Sequence, residues 1–345
     1  MDRLVLPSRV YLDVTSACPL RCRHCCTGSG APLGDELRRA ELLDVIRQVR
    51  RLGVSRLVFS GGEPLLRPEL DELLAAARGL DLQVTVLTSG LLIDEVWARR
   101  FREFSVGVKV SLDGVVAETH DFLRGPGTFD RTIDVLRRLV AAGVDPAVHY
   151  TVHRRNFREL GELPALLARL GVRNLVLGTI KPAGRATAHA DLLIPPRMVC
   201  YVQARVEAVR RRAGLRILSF ADRGWGEFGC PATCNKLGLT ADGRLTTCAF
   251  FGRELLGDSI RRYPLAELWR RHLERRDLFV PGERCRRCPA LARCAGGCRA
   301  RALYYHGDLG APDPYACALR GKQEYLDANR DRFRRARERF VEAFA

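Results

Sequence analysis

The sequence lacks the features that mark membrane-spanning and secreted proteins. None of its 345 positions begins a stretch of eighteen apolar residues, so the sequence predicts no transmembrane helix. The first residues contain no basic segment followed by a long apolar run, so no signal peptide is indicated. We therefore expect a cytoplasmic protein, in which thiols stay reduced.

Lysine is scarce, and long runs of like charge are absent. Only four lysines occur, so arginine supplies 53 of the 57 basic residues, and the formal net charge is +17. Such a charge can indicate a nucleic-acid-binding protein, but these arginines are scattered along the helical segments. We therefore expect a solvated basic surface and neither a nucleic-acid nor a membrane partner.

Cysteine, by contrast, is abundant. Apolar residues make up 47% of the chain, which predicts a globular protein with one large α/β domain and an appendage, or two domains. Thirteen cysteines in a reducing compartment favour metal or cluster ligation over a disulfide framework. Twelve of them fall into two groups, four near the start of the chain and eight in its last third, and Cys200 lies alone between the groups.

From residue 9 to residue 177, short runs rich in valine and leucine alternate with longer helical patterns. The predicted strands are 9–14, 56–59, 83–87, 106–111, 146–152 and 174–177, and the predicted helices are 37–52, 68–78, 95–104, 129–142 and 157–170. Gly53, Gly143 and Gly171 follow three of these helices, where a left-handed cap residue is favoured. This alternation predicts parallel βαβ units in an open sheet or a barrel.

Unusual residues follow every predicted strand at its carboxyl end, which is where parallel sheets and barrels build their sites. They are Cys18, Cys22 and Cys25, then Gly61-Gly62-Glu63-Pro64, then Thr88 and Ser89, then Ser111 and Asp113, then Asn156, and finally Lys181 and Arg185. We therefore expect these six segments to converge on one rim.

The first cysteine motif offers three thiolates from one loop. A structural zinc site needs four closed ligands, whereas three thiolates on a 4Fe–4S cluster leave one iron open to another ligand. An open iron at the rim of a barrel indicates chemistry. Cys26 completes no regular spacing and is interpreted as a packed thiol.

The Cys18-x3-Cys22-x2-Cys25 motif followed by Gly61-Gly62-Glu63-Pro64 resembles the radical S-adenosylmethionine (SAM) enzymes. The resemblance implies a partial (β/α)6 barrel over about residues 8–220, a cluster on the three cysteines, and SAM chelating the open iron. The implied SAM site comprises Gly61, Gly62, Glu63 and Pro64 at the amine, Thr88 and Ser89 beside SAM, Ser111 and Asp113 near the ribose, and Asn156 and Arg185 near the carboxylate. For residues 111–114, a plain turn that closes the strand is the alternative.

The resemblance also implies a mechanism. An electron donor of the flavodoxin or ferredoxin type reduces the cluster, SAM is cleaved, and a 5′-deoxyadenosyl radical takes hydrogen from an unactivated carbon. The protein orients that radical and excludes water, while the cofactors supply the difficult chemistry.

The C-terminal cysteines resemble the SPASM extension of radical SAM enzymes, which carries two auxiliary 4Fe–4S clusters. The resemblance rests on Gly243-x4-Cys248 and on the 2-5-3 spacing that begins at Cys285. It implies one cluster on Cys230, Cys234, Cys248 and Cys298, and another on Cys285, Cys288, Cys294 and Cys317, with an electron-relay or structural role. Two zinc ribbons are the alternative. Cys26 and Cys200 stay unassigned.

The motifs predict the first step of the reaction and leave its outcome open. Only some seven residues precede the first strand, and we therefore expect no peptide-recognition domain and a small polar substrate, such as a sugar, aminoglycoside or nucleoside antibiotic intermediate. Dehydrogenation, epimerisation or decarboxylation would follow. A peptide or sulfatase substrate is one alternative, and a zinc-containing basic binding module is another.

Two further expectations concern acid–base groups and domain boundaries. Asp222, Glu227 and Lys181 are candidate acid–base residues, with a surface-loop position as the alternative. The predicted division is a radical SAM core at 1–220, a SPASM domain at 221–320 and an amphipathic helix at 321–345.

Overall fold

The strands that the structure describes lie in one sheet. The computed structural model describes residues 6–212, 214–220, 230, 235–251 and 257–342. Within these ranges the strands are β1 Arg9–Thr15, β2 Arg56–Gly61, β3 Gln83–Thr88, β4 Gly107–Ser111, β5 Ala147–Val152, β6 Asn174–Thr179, β7 Arg216–Ser219, β8 Lys236–Leu239 and β9 Leu245–Thr246.

The order of strands across the sheet is β7-β6-β5-β4-β3-β2-β1-β8-β9. Every neighbouring pair is parallel except β8 and β9, which are antiparallel. The first six strands therefore lie side by side in chain order, as successive right-handed βαβ units require. The predicted partial (β/α)6 barrel is confirmed, and β7 extends it by one strand that the sequence patterns did not predict.

Helices connect the strands and form the C-terminal region. They are α1 Arg39–Arg51, α2 Leu70–Gly79, α3 Glu95–Glu103, α4 Ala117–Arg124, α5 Thr128–Ala141, α6 Leu163–Arg169, α7 Val199–Arg212, α8 Leu265–Glu274, α9 Glu283–Arg286, α10 Leu291–Cys294, α11 Arg299–His306, α12 Pro314–Leu319, α13 Gln323–Ala328 and α14 Arg330–Glu342. Gly53, Gly143 and Gly171 have φ of 83°, 76° and 70° after α1, α5 and α6, as the cap prediction requires.

The two faces of each strand have different surroundings. In β1, Val10 and Leu12 are completely buried beneath the helices, whereas Tyr11 and Asp13 on the opposite face are only half-buried. The same alternation in β4 leaves Lys109 half-buried on that opposite face. One face of the sheet thus forms the apolar core, and the other lines the interior of the barrel.

Sequence beyond residue 220 takes part in the same sheet. β8 pairs with β1 in parallel register, from Arg9 opposite Lys236 to Leu12 opposite Leu239. Arg261 also donates hydrogen bonds to the Glu41 carboxylate at the start of α1. These contacts join residues on the two sides of the predicted domain boundary near residue 220. That boundary stays a prediction.

The C-terminal segment is helical but interrupted. α13 ends before Asn329 and α14 begins after it, where the prediction had a single amphipathic helix. Phe333 of α14 is buried and stacks edge-on against Tyr305 of α11. Among the residues described, we find no helix whose length and apolar character would suit a membrane crossing.

Candidate active site

Two glycines bring the end of β2 against the end of β1. Gly62 N donates to Thr15 O at 2.8 Å, and Glu63 N donates to Ala17 O at 2.8 Å. A Cβ atom on Gly62 would lie 2.1 Å from Ala17 O, and one on Gly61 would lie 2.2 Å from Thr15 O. Glycine is therefore required here for contact with the protein's own backbone, a role that the sequence analysis had not considered.

Glu63 lies fully buried at the rim, surrounded by hydrogen-bond donors. Its carboxylate accepts from Thr88 Oγ1 at 2.7 Å, from Ser89 N at 2.8 Å and from Ser89 Oγ at 2.6 Å. Burial raises the pKa of Glu63, although these hydrogen bonds act in the opposite direction. The structure thus brings together three residues of the predicted SAM site, and Pro64 begins a short 3-10 helix beside them.

The cysteine loop follows β1 and folds back on itself. Cys18 N donates to Gly30 O at 2.9 Å, and Cys25 N donates to Cys22 O at 3.2 Å. Burial raises the pKa of Cys18 to about 11, and the neighbouring Cys22, Glu63 and Cys25 contribute in the same direction. The three thiols of the motif therefore lie near one another and near Glu63.

Arg185, on the segment after β6, holds this loop by its backbone. Its guanidinium donates to Cys22 O at 3.1 Å, to Gly28 O at 2.9 Å and to Ser29 O at 2.8 Å. Its own amide donates to Cys25 O at 2.9 Å. Arg185 was predicted to lie near the carboxylate of SAM, and that role stays a prediction beside this observed one.

A buried ion pair that the sequence analysis missed lies on the other side of the loop. Arg124 Nε donates to Asp113 Oδ2 at 2.6 Å, and Arg124 Nη1 lies 3.8 Å from Cys22 Sγ. Burial acts to raise the pKa of Asp113, but Arg124 and the nearby His24 hold it well below its usual range. An arginine on a helix is usually solvated. The only signal in the sequence that could have marked Arg124 was its position next to Gly125, at which the helix ends.

The remaining predicted SAM residues are engaged within the protein. Asn156 Nδ2 donates to Asp113 O at 3.0 Å and to Thr151 O at 2.9 Å, and its carbonyl oxygen accepts from His153 N at 2.7 Å. Ser111 is half-buried at the end of β4. The structure brings Asn156 and Asp113 together, while their predicted contacts with SAM stay predictions.

The donor set at this loop fits a 4Fe–4S cluster. Buried thiols become ligands only as thiolates, and two cations, Arg124 and Arg185, lie where they offset that negative charge. Within the ranges described, no three His, Cys, Asp or Glu side chains are placed to hold a single metal ion. Three thiols on one loop at the rim match the open-iron arrangement expected from the sequence.

The C-terminal cysteines form two groups. Cys230, Cys248 and Cys298 share a buried cluster with Phe251 and Phe279, whereas Cys234 lies outside the described residues. In the second group, burial raises the pKa of Cys317 to about 12, and Cys285, Cys294 and Cys288 add to that increase because they lie close to it. The seven described cysteines thus divide as the SPASM resemblance implies, and their role as cluster ligands stays a prediction.

Two of the remaining candidates can be located. Cys200 is exposed, and its thiol donates to Ala318 O at 3.1 Å. Cys26 is half-buried, and burial raises its pKa to about 12, with the charges of Cys25 and Cys248 adding to the effect. The Cys26 thiol is therefore within electrostatic range of both Cys25 and Cys248.

The acid–base candidates fall in different places. Lys181 Nζ donates to Thr179 Oγ1 at 2.7 Å and lies 5.6 Å from the ring centre of Phe250. Asp222 and Glu227 lie outside the described residues. The role of all three stays a prediction.

Comparison with known proteins gives consistent matches along most of the chain. Residues 12–167 match the model of the radical SAM superfamily. The PqqA peptide cyclase of Streptomyces rochei is 30% identical over 93% of this chain and 92% of its own length. The mycofactocin maturase MftC of Mycobacterium tuberculosis is 31% identical over 88% of this chain and 81% of its own length.

Solved structures share the fold. Streptococcus suis SuiB bound to the precursor peptide SuiA has a TM-score of 0.75 at 17% identity and covers 91% of this chain and 76% of its own. Native anSMEcpe with bound AdoMet has a TM-score of 0.73 at 20% identity and covers 96% of this chain and 100% of its own. At these identities the likeness concerns the fold.

The predicted small polar substrate is wrong. Relatives that match about nine-tenths of the chain are named as cyclases of a peptide, PqqA, and none of these names refers to a sugar, aminoglycoside or nucleoside. That expectation rested on the number of residues before β1, which does not identify a substrate. The alternative of a zinc-containing binding module is wrong as well, because these relatives are enzymes.

Proposed function

This chain belongs to the radical SAM superfamily, among its SPASM-type enzymes, and we propose that its substrate is a ribosomally made peptide. The observation that carries the proposal is the 30% identity to a PqqA peptide cyclase over 93% of the chain. The chemistry that we propose is hydrogen abstraction from an unactivated carbon of the peptide, followed by oxidation or cross-linking.

Radical SAM enzymes use a 4Fe–4S cluster and SAM, and when bound these groups supply a 5′-deoxyadenosyl radical. The finer proposal is that this chain carries three clusters. The proposed ligands are Cys18, Cys22 and Cys25 for the SAM cluster, Cys230, Cys234, Cys248 and Cys298 for one auxiliary cluster, and Cys285, Cys288, Cys294 and Cys317 for the other. The grouping of the described thiols supports these sets.

The chain's own residues would hold and orient these groups. Glu63 is the proposed acceptor for the SAM amine, because its buried carboxylate is already fixed by Thr88 and Ser89. Arg185 keeps the cysteine loop closed by donating hydrogen bonds to carbonyl oxygens of the loop. The residues 1–220 supply this site in the proposed division, and residues 221–320 supply the auxiliary ligands.

The substrate proposal can be tested with short peptides encoded beside the gene. Anaerobically reconstituted enzyme is incubated with SAM, a chemical reductant and each synthetic peptide, and the products are followed by mass spectrometry. We expect 5′-deoxyadenosine and a peptide whose mass is lower by the hydrogen atoms removed. Peptides that all stay unchanged, while SAM is cleaved and a polar metabolite is consumed, would refute the proposal.

Two cysteine variants provide matched controls for that assay. Cys25→Ala should abolish cleavage of SAM, because it removes a proposed ligand. Cys200→Ala should leave cleavage unchanged, because that exposed thiol belongs to none of the three sets. Equal activity of the two variants would contradict the ligand proposal.

The number of clusters is tested by metal analysis. Three cubane clusters require about twelve iron atoms per chain. Cys288→Ala should then lower the content by about four iron atoms, while the response of the remaining signal to SAM persists. Stoichiometric zinc in place of iron at the C-terminal sets would overturn the proposed auxiliary clusters.

A further inference from the structure

Cys22 is held by two arginines that act on different atoms. Arg185 donates to the carbonyl oxygen of Cys22, whereas Arg124 Nη1 lies 3.8 Å from its sulfur. The Cys22 sulfur is buried, so its interaction with a cation is screened little by water. Of the two, Arg124 is the one whose guanidinium reaches the sulfur itself, so its charge lies nearer to a metal bound there.

Arg124 is fixed in position by an opposite charge. Its Nε lies 2.6 Å from Asp113 Oδ2, and Asp113 Oδ1 accepts from Thr151 N at 2.6 Å on β5. Arg124 Nη2 also lies 3.4 Å from His24 Nε2. Asp113 is completely buried and Arg124 nearly so, which places a compensated pair of charges beside one cysteine.

The helix that carries Arg124 is anchored to the cysteine loop. Arg23 N donates to Leu123 O at 2.9 Å, and Arg23 Nε donates to Phe122 O at 2.9 Å. The Arg23 guanidinium also lies 4.4 Å from the centre of the Phe122 ring. The end of α4 and the loop therefore keep a fixed register, which holds Arg124 at the sulfur of Cys22.

We propose that Arg124 is a positioning residue that raises the reduction potential of the cluster held by Cys18, Cys22 and Cys25, and that Asp113 moderates this effect. The inference rests on the proposed ligand set. Reduction by a one-electron donor adds one negative charge to the cluster, and a buried cation beside a ligand sulfur stabilises that reduced form. The Asp113 carboxylate offsets part of the cation's field, so the two side chains act in opposite directions.

The test is a redox titration of the reconstituted full-length enzyme. The SAM cluster is identified by the component of its electron paramagnetic resonance signal that changes when SAM is added. Arg124→Gln should shift the midpoint potential of that component to a more negative value. A tenfold change in the equilibrium constant of this one-electron step corresponds to about 59 mV, and we expect a shift of at least that size.

Asp113→Asn supplies a second arm with the opposite sign. It leaves the cation uncompensated and should shift the potential to a more positive value, whereas a purely structural role would give no such opposition. Arg124→Lys keeps the charge and should retain most of the wild-type potential. The matched control is Arg137→Gln, which removes an exposed arginine paired with Asp134 on α5 and should leave the potential unchanged.

The outcomes separate this inference from the ligand proposal. Shifts of opposite sign with full iron content support it, and unchanged potentials in both variants overturn it. If Arg124→Gln does not retain iron, Asp113→Asn alone tests the inference: a shift to a more positive potential supports it, and an unchanged potential overturns it. A SAM-responsive cluster that persists in Cys25→Ala would show that the ligand set is at fault and not the role of Arg124.

Discussion

Asp313 should be among the most sensitive positions for stability. It is completely buried, and its carboxylate accepts from Cys298 N at 2.7 Å and from Tyr315 N at 3.0 Å. Arg301 completes the arrangement with two hydrogen bonds, from Nε at 2.8 Å and from Nη2 at 2.6 Å. Asp313 thus joins a proposed ligand of one auxiliary cluster to the start of α12, which carries Cys317, a proposed ligand of the other.

The expected cost follows from leaving one charge buried alone. Breaking a buried ion pair by removing one partner costs about 3–5 kcal/mol. Asp313→Asn keeps one side-chain oxygen as an acceptor, so we expect a loss in the free energy of unfolding at the lower end of this range, about 3 kcal/mol. Arg301→Met should cost a similar amount. The double variant buries no charge, so its cost should fall below the sum of the single costs by about 3 kcal/mol.

The effect of pH has a definite sign. Burial acts to raise the pKa of Asp313, but Arg301 and the two amides lower it below the unfolded value. The contribution of Asp313 is therefore fully present above the unfolded pKa and is lost as the pH falls below it. Asp313→Asn should therefore lose less stability than the wild type as the pH falls through this acidic range.

Urea unfolding under anaerobic conditions, followed by circular dichroism, measures these costs, and hydrogen exchange at the Tyr315 and Cys298 amides reports the local effect. The control is Asp327→Asn, which breaks an exposed pair with Arg330 and should cost at most about 0.5 kcal/mol. Additive costs for Asp313 and Arg301, or a loss no larger than in the control, would refute the reasoning.

Three further predictions concern the cysteine loop and its surroundings. Arg185→Lys should lower amide protection in the loop about fivefold for each hydrogen bond lost, measured by hydrogen-exchange mass spectrometry, because each such bond to a carbonyl contributes about 1 kcal/mol. Gly62→Ala should destabilise the protein by about 3 kcal/mol in urea unfolding, since its Cβ would lie 2.1 Å from a backbone oxygen, whereas Gly79→Ala, with open space around it, should not destabilise it. A hydrogen bond from Arg261 lowers the pKa of Glu41 from 4.5 to about 2, so that the stabilising contribution is complete above pH 4.5 and disappears as the pH approaches 2. Glu41→Gln should lower the free energy of unfolding at neutral pH by about 1 kcal/mol, and its melting temperature should depend less on pH over that range than that of the wild type.

The strands were predictable because two local signals agreed. Runs of valine and leucine gave the strand interiors, and helix-ending glycines such as Gly53 and Gly143 gave the boundaries, so that β1 to β6 lie within two residues of the prediction. Helix α4 was missed because it has only eight residues and few apolar ones. Local pattern identified long helices that connect β1 to β6 and failed for the short α4, which tertiary contacts stabilise.

Part of the site lay beyond local pattern. The motif identified the three cysteines and Glu63 by spacing, but the ion pair of Arg124 and Asp113 joins residues eleven positions apart whose burial depends on β5 and the cysteine loop. The substrate was mispredicted because the chain length before β1 says nothing about which side chains meet a ligand. The ion pair was missed because an arginine was treated by its type without knowledge of its surroundings.

The parallel pairing of β1 with β8 has a consequence for biosynthesis. The ribosome makes Arg9–Thr15 early, but its partner Lys236–Leu239 follows more than two hundred residues later. Until then one edge of β1 presents unpaired amides and carbonyls, the kind of edge on which chains aggregate. The pairing of the strand that leads into the cysteine loop is therefore completed only after residue 239 has been made, and truncation near residue 220 would leave an unpaired edge on which chains could aggregate.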